Sequence, residues 1–243
     1  MYGSRGRIGL IVPSSNTVCE PEMAKLSPEG VATYSTRILF EPSLDGLKAM
    51  KEHVERASLE LSSEGISNII AFCCTVGSMI GGPGYDREIV QFVEEKTGVP
   101  AITTTTAVKA AFNAFGVKRI AVATPYTREI NEIERNMLQA MGYEVTQIVG
   151  RHEDVSPNQF TNEMIGRLPS EEAYRLGLAV DGGSNEAIFI SCTNFHAVEI
   201  IDRLENEAGK PVVSSNQATM WYALRKMGIR DPLPGFGRLM EDF

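Results

Sequence analysis

Short apolar runs rich in β-branched residues recur along the chain, each followed by a turn and a stretch of helical period. They predict strands at RIGLIV (7–12), VATYSTRIL (31–39), NIIAF (68–72), PAITT (100–104), KRIAVAT (118–124), YEVTQIV (143–149), EAIFIS (186–191) and KPVVSS (210–215). Several are apolar without alternation, the pattern of strands buried on both faces. Helical segments lie between them: LDGLKAMKEHVERASLELSSEG (44–65), YDREIVQFVEEKTG (85–98), REINEIERNMLQAMG (128–142), EEAYRLGLAV (171–180) and HAVEIIDRLENEAG (196–209). The first is expected to close at Gly65, where a C-cap wants left-handed geometry. Such alternation predicts an α/β protein with parallel sheets.

The pattern also repeats. NIIAFCCT followed by TGVPAITTTTAVKAAFNAFGVKRI resembles EAIFISCT followed by AGKPVVSSNQATMWYALRKMGIRD, and IGLIVPSSNTVCEPE resembles IAVATPYTREINEIE. Pro13 and Pro125, like Gly116 and Gly228, are 112 residues apart, and Cys74 and Cys192 are 118 apart. The expectation is two pseudo-symmetric Rossmann-like lobes, 1–116 with Cys74 and 117–243 with Cys192, open to helix exchange near the crossover and the C-terminus.

Composition narrows the function classes. Of 243 residues, 43% are hydrophobic and 22% charged, which excludes a disordered or low-complexity chain. A net charge of −8 without long Lys/Arg runs argues against nucleic acid and anionic membrane as partners. No stretch has the apolar length of a membrane helix, and the opening IGLIV reads as a buried strand rather than a secretion signal. The four cysteines form no C-x-x-C or Cys/His cluster suited to zinc, so the expectation is free thiols, no metal and a reducing, cytoplasmic compartment.

In open α/β sheets ligands bind beyond the carboxyl ends of the strands, and two related lobes would place those ends around one cleft. Cys74 and Cys192 each follow such a strand, precede a Thr and are equivalent under the repeat. They are therefore expected to face each other across the cleft. Helix-end amides would lower a thiol pKa there, and a pair of thiols makes a nucleophile and an acid, or two bases. Asn16 and Tyr126, in corresponding turns, would project into the same cleft. Ser14 and Ser15 read equally as helix N-caps.

Gly81, Gly82 and Gly84 fit no phosphate-loop pattern and read as hinges of a lid, with a plain loop as the alternative. Cys73, pointing the other way on its strand, and Cys19 read as core. His196, four residues after Cys192, reads as a surface or capping residue, with a Cys–His dyad as the alternative. One hydroxyl of Thr103–Thr106 is a candidate to reach the ligand, while Glu20 and Glu22 suit a first helical turn.

The segments VPSSNTVCEPEM, CCTVGSMIGGPG, VATPYTREI, ISCTNF and PVVSSNQATMWYALRKMG…LPGFGRLM, in this order, resemble the maleate cis-trans isomerase branch of the aspartate/glutamate racemase superfamily. The Cys followed by GGPG is the most specific piece. Amino-acid racemases of the superfamily carry Asp-Ser in the first loop, where this chain has Ser14, Ser15 and Asn16. The arylmalonate decarboxylase branch keeps only the second-lobe Cys, whereas this chain has both. The resemblance implies cofactor-free conversion of maleate to fumarate through a succinyl-like thioether. Cys74 would be the nucleophile and Cys192 the acid/base. Asn16, Tyr126 and Asn162 would hold the carboxylates or the intermediate, with Thr75, Val76 and Thr193 beside them, in a homodimer. The alternatives are a decarboxylase or racemase working through the same thiols, and a non-catalytic binder of small acids.

Overall fold

The computed structural model describes residues 2–40, 44–156 and 159–243. Among them, eight strands form two parallel sheets, close to the eight expected positions. β1 (Gly6–Pro13), β2 (Val31–Ile38), β3 (Ile69–Phe72) and β4 (Ala101–Thr103) are ordered β2-β1-β3-β4. β5 (Arg119–Thr124), β6 (Glu144–Gly150), β7 (Ala187–Ile190) and β8 (Val212–Ser214) repeat that order as β6-β5-β7-β8. The inner runs IIAF and AIFI are buried throughout, because helices cover both faces of a parallel sheet. Edge strands β2 and β6 are only partly covered, which explains their mixed polar sequences.

The helices of the first half are α1 (Cys19–Lys25), α2 (Leu44–Ala49), α3 (Lys51–Ser62), α4 (Tyr85–Thr97) and α5 (Thr104–Phe115). The second half adds α6 (Arg128–Ala140), α7 (Asn162–Gly166), α8 (Ser170–Val180), α9 (Ile201–Ala208), α10 (Ser215–Lys226) and α11 (Arg238–Asp242). None among the described residues is long and apolar enough to cross a membrane.

Two helical expectations need correction. The segment 44–65 is interrupted at Met50, where His53 N–H reaches the Met50 carbonyl in the tighter i,i+3 pattern, and it ends in a short 3₁₀ turn. Gly65 does adopt the left-handed φ of 68°. The segment 196–209 becomes helical only at Ile201. The Ala197 and Val198 amides are taken instead by the Glu22 carboxylate, which arrives from α1 of the other half.

Two equivalent helices hold the halves together. α5 and α10 each start with a capping box, Thr103 with Thr106 and Ser214 with Gln217. They pack on each other, and each touches β4 and β8. Phe112 of α5 lies edge-on to Tyr143 and Phe189 of the second half, with ring centroids 5.1 and 5.7 Å away. With Trp221, Ala218 and Leu224 of α10 they join one apolar cluster with residues of both sheets. The strand order reverses between β1 and β3, and again between β5 and β7, and at such switch points the carboxyl ends open a ligand crevice.

Candidate active site

Four segments leave the strands at those switch points: Ser14–Asn16 after β1, Cys73–Val76 after β3, Pro125–Tyr126 after β5 and Ser191–Thr193 after β7. Cys74 and Cys192 are each two residues past their strand and sit in the same cluster, only 9% and 8% exposed. The two thiols and Tyr126 are close enough to influence one another's ionisation. Cys73 faces the other way, into the cluster that holds Cys19, so alternation separates the two adjacent thiols. All four cysteines are free.

The immediate surroundings of the two thiols differ. The Gly77 backbone N–H, in the 3₁₀ turn Val76–Ser78, donates to Cys74 Sγ. A Cβ on Gly77 would come within 2.8 Å of that sulfur, so only glycine leaves room for this contact. The Cys192 sulfur accepts from the Asn194 N–H at 3.3 Å and from the Tyr126 hydroxyl. Cys192 also has φ 103°, and the one other non-glycine residue with positive φ among those described is Glu64. Such backbone strain costs about 1–3 kcal/mol and persists only where surroundings over-determine it. Here the Cys192 N–H donates to Ser215 Oγ at 3.0 Å, which pins the turn.

Burial pushes both thiols up to about 12, the reverse of the lowering expected from helix-end amides. Cys74 is followed by a single 3₁₀ turn and Cys192 by no helix, so the amides contribute too little to outweigh desolvation. Both thiols are therefore protonated at neutral pH.

The other expected residues sit in the seam between the halves. Asn16 is buried: its Oδ1 accepts from Val18 N and Cys19 N, and its Nδ2 donates to Thr193 Oγ1 at 3.0 Å. Thr193 in turn donates to the Cys73 carbonyl at 3.1 Å. Thr75 and Ser215 share a hydroxyl contact of 2.9 Å. Val76 is buried beside the Cys74 turn. Asn162 donates to Ser15 Oγ at 2.8 Å, and its carbonyl accepts from Asn194 Nδ2.

Several expectations fall away or change. Ser14 and Ser15 do not cap α1; they accept from Phe40 N and Asn162, and Asn16 takes the amides at the helix start. His196 does not lie one helical turn from Cys192, because 192–200 is not helical. The Thr103–Thr106 hydroxyls are spent on the α5 cap and on contacts to the Cys74 turn and α10. Gly81, Gly82 and Gly84 form the loop before α4, with φ 93° at Gly82 and 97° at Gly84.

Two buried acids do more than the sequence conveyed: Glu22 lies in the first turn of α1 as expected but also reaches the other half, and Glu134 was not singled out. Glu22 accepts from Ala197 N at 2.7 Å, Val198 N at 3.0 Å and Asn216 Nδ2 at 2.7 Å. Glu134 on α6 accepts from Ser191 Oγ at 2.6 Å, and its second oxygen is buried with no partner among the described residues. Both are nine residues after the equivalent prolines Pro13 and Pro125, so the repeat itself carried the signal.

A family model described as arylmalonate decarboxylase matches residues 8–240. Among known proteins, a maleate isomerase of Nocardia farcinica is 31% identical over 97% of this chain and 95% of its own. A maleate isomerase of Pseudomonas putida S16, solved with maleate, is 26% identical, covers 97% of both chains and superposes with a TM-score of 0.89. A maleate cis-trans isomerase of Nocardia farcinica, solved with a covalently bound succinylcysteine intermediate, is 27% identical. That match covers 98% of this chain and 99% of the other, with a TM-score of 0.88.

Proposed function

The chain belongs to the arylmalonate decarboxylase family, and on that footing we propose that it is a cofactor-independent isomerase converting maleate to fumarate through a covalent adduct on Cys74. The observation that carries this reading is the pair of buried thiols at equivalent switch points, flanked by neutral hydrogen-bond donors. A decarboxylase reading is less favoured, because the branch with that activity keeps only the second-lobe thiol.

Cys74 enters as the thiolate, its proton having passed to solvent, with the Gly77 N–H stabilising the charge. Its sulfur bonds to one alkene carbon, and the π electrons move onto the other carbon and its carboxylate. Cys192 gives its proton to that carbon, and the Tyr126 hydroxyl supports the thiolate left behind. The former double bond, now single, rotates. Cys192 takes the proton back, the electron pair of that C–H bond rebuilds the alkene as fumarate, and the C–S bond breaks with its pair leaving on the Cys74 thiolate. No electrons or protons are gained overall, so the cycle calls for no redox cofactor.

Asn16, Asn162, Thr75, Val76 and Thr193 bind the two carboxylates, a role supported by their burial at the seam. Gly81, Gly82 and Gly84 are the hinges of a lid that shields the carbanion-like intermediate from water. The lobes 1–116 and 117–243 each supply one thiol. The reading extends to a cytoplasmic homodimer, supported by four free thiols and by exposed Tyr34 and Leu39 near the β2 edge.

The test is proton NMR of purified protein with maleate, without metal or nucleotide. Fumarate formation that disappears in Cys74→Ala is expected. No fumarate overturns the reading and moves attention to substituted malonates and carbon dioxide release.

A further inference from the structure

Glu22 and Glu134 occupy equivalent places in the repeat, and both are buried against the turn that carries Cys192 or the segment after it. Their environments have diverged. Glu22 is saturated by two backbone amides and Asn216, as befits a structural bolt between the halves. Among the described residues Glu134 has one hydrogen-bond partner, the hydroxyl of Ser191, and one bare oxygen. A buried acid so poorly supplied is costly, and its position next to a strained, buried thiol suggests a reason for keeping it.

We propose that Glu134 is a positioning residue: through Ser191 it fixes the strained turn of Cys192 and sets an acid behind that sulfur, so that Cys192 carries the proton while Cys74 forms the bond. The inference rests on the isomerase reading for its purpose, but not for its test.

The surroundings support the division of labour. Facing Glu134 are Ser191 and Cys192 from the loop after β7 and Tyr126 from the loop after β5. β6, packed on α6, carries Glu144 at its far, amino-terminal end. Beyond β6, Glu153 is taken by Asn131, the Gly150 N–H and Arg128, and His152 bonds the Pro125 carbonyl. No Lys or Arg among the described residues forms an ion pair with Glu134. Burial is the largest influence on Cys192, and above about pH 7, where Glu134 ionises, its uncancelled negative charge adds to it by opposing a second one on that sulfur. Cys74 has no such carboxylate; the ionisable groups acting on it are the thiols of Cys192 and Cys73. Glu22, held by its own donors, acts on Cys192 in the same direction after Glu134, so the two equivalent thiols differ in the acids that face them.

The experiment is iodoacetamide labelling between pH 7 and 9.5, read by mass spectrometry at each cysteine. Cys192 is followed in Cys74→Ser protein and Cys74 in Cys192→Ser protein, while Cys19 and Cys73 are wholly buried. Adding Glu134→Gln should speed labelling of Cys192 by about threefold or more at pH 8.5, the effect of half a pKa unit or more, and leave Cys74 unchanged. Ser191→Ala removes a bond that favours the ionised carboxylate, so it should act in the same direction and more weakly, and it carries the test if Glu134→Gln does not fold. Unchanged Cys192 labelling in the folded variants, or equal acceleration of both thiols, overturns the proposal. Labelling needs no substrate, so either result is independent of whether maleate is turned over.

Discussion

The turns of Cys74 and Cys192 occupy the same place in two sheets of identical strand order, yet they are built differently. Cys74 sits on ordinary backbone and leads into a 3₁₀ turn whose Gly77 amide points at the sulfur. Cys192 sits at φ 103°, pinned by Ser215, with Tyr126 and Asn194 donating to its sulfur and Glu134 behind it. The repeat accounts for two thiols meeting in one cleft. The divergence of their neighbours accounts for their doing different things.

The strongest way to break the comparison is to remove one thiol at a time. Cys74→Ala should lower turnover by about 10⁴-fold or more, as loss of a covalent nucleophile does, read as fumarate formed per unit time. Because both thiols are held protonated by burial, wild-type turnover should rise with pH between 7 and 9 rather than level off near neutrality. A plateau below pH 7 would contradict it.

The two buried acids should separate next. Glu22→Ala leaves the Ala197 and Val198 amides and the Asn216 side chain without their acceptor, and should cost about 3 kcal/mol in urea unfolding. Glu134, pushed up to about 7 by burial, binds its proton more tightly folded than unfolded. Its contribution to stability is therefore complete below the ordinary carboxyl range and is lost as pH rises toward 7. The loss amounts to up to about 3 kcal/mol, and Glu134→Gln should remove that slope between pH 4.5 and 7.5.

Tyr126→Phe takes one donor from the Cys192 sulfur and should reduce kcat by about 10²-fold with a smaller change in KM. The smallest effect is expected at His196, which is no helical neighbour of Cys192; His196→Ala should leave turnover within about twofold.

The fold was legible because buried parallel strands are nearly pure apolar runs, and NIIAF and EAIFIS could hardly be anything else. The repeat of C-T after those two runs brought the thiols to one place. What stayed hidden was long-range. The start of α9 was misplaced because a carboxylate from α1 claims amides that local periodicity assigns to a helix. The thiol ionisation was misjudged in direction because burial depends on both halves closing over the site. Glu134 carries no local signal, because acids are common on an amphipathic helix, and its place against Ser191 is set by the fold.

The most direct test of the central claim is intact-mass and peptide mapping of Cys192→Ser protein after incubation with maleate. The account predicts one succinyl adduct, on the peptide that carries Cys74, because that sulfur forms the bond and solvent can supply the adduct's proton, while release needs the missing base that takes it back. An adduct on another residue, or wild-type turnover without any thiol bond to Cys74, would contradict it.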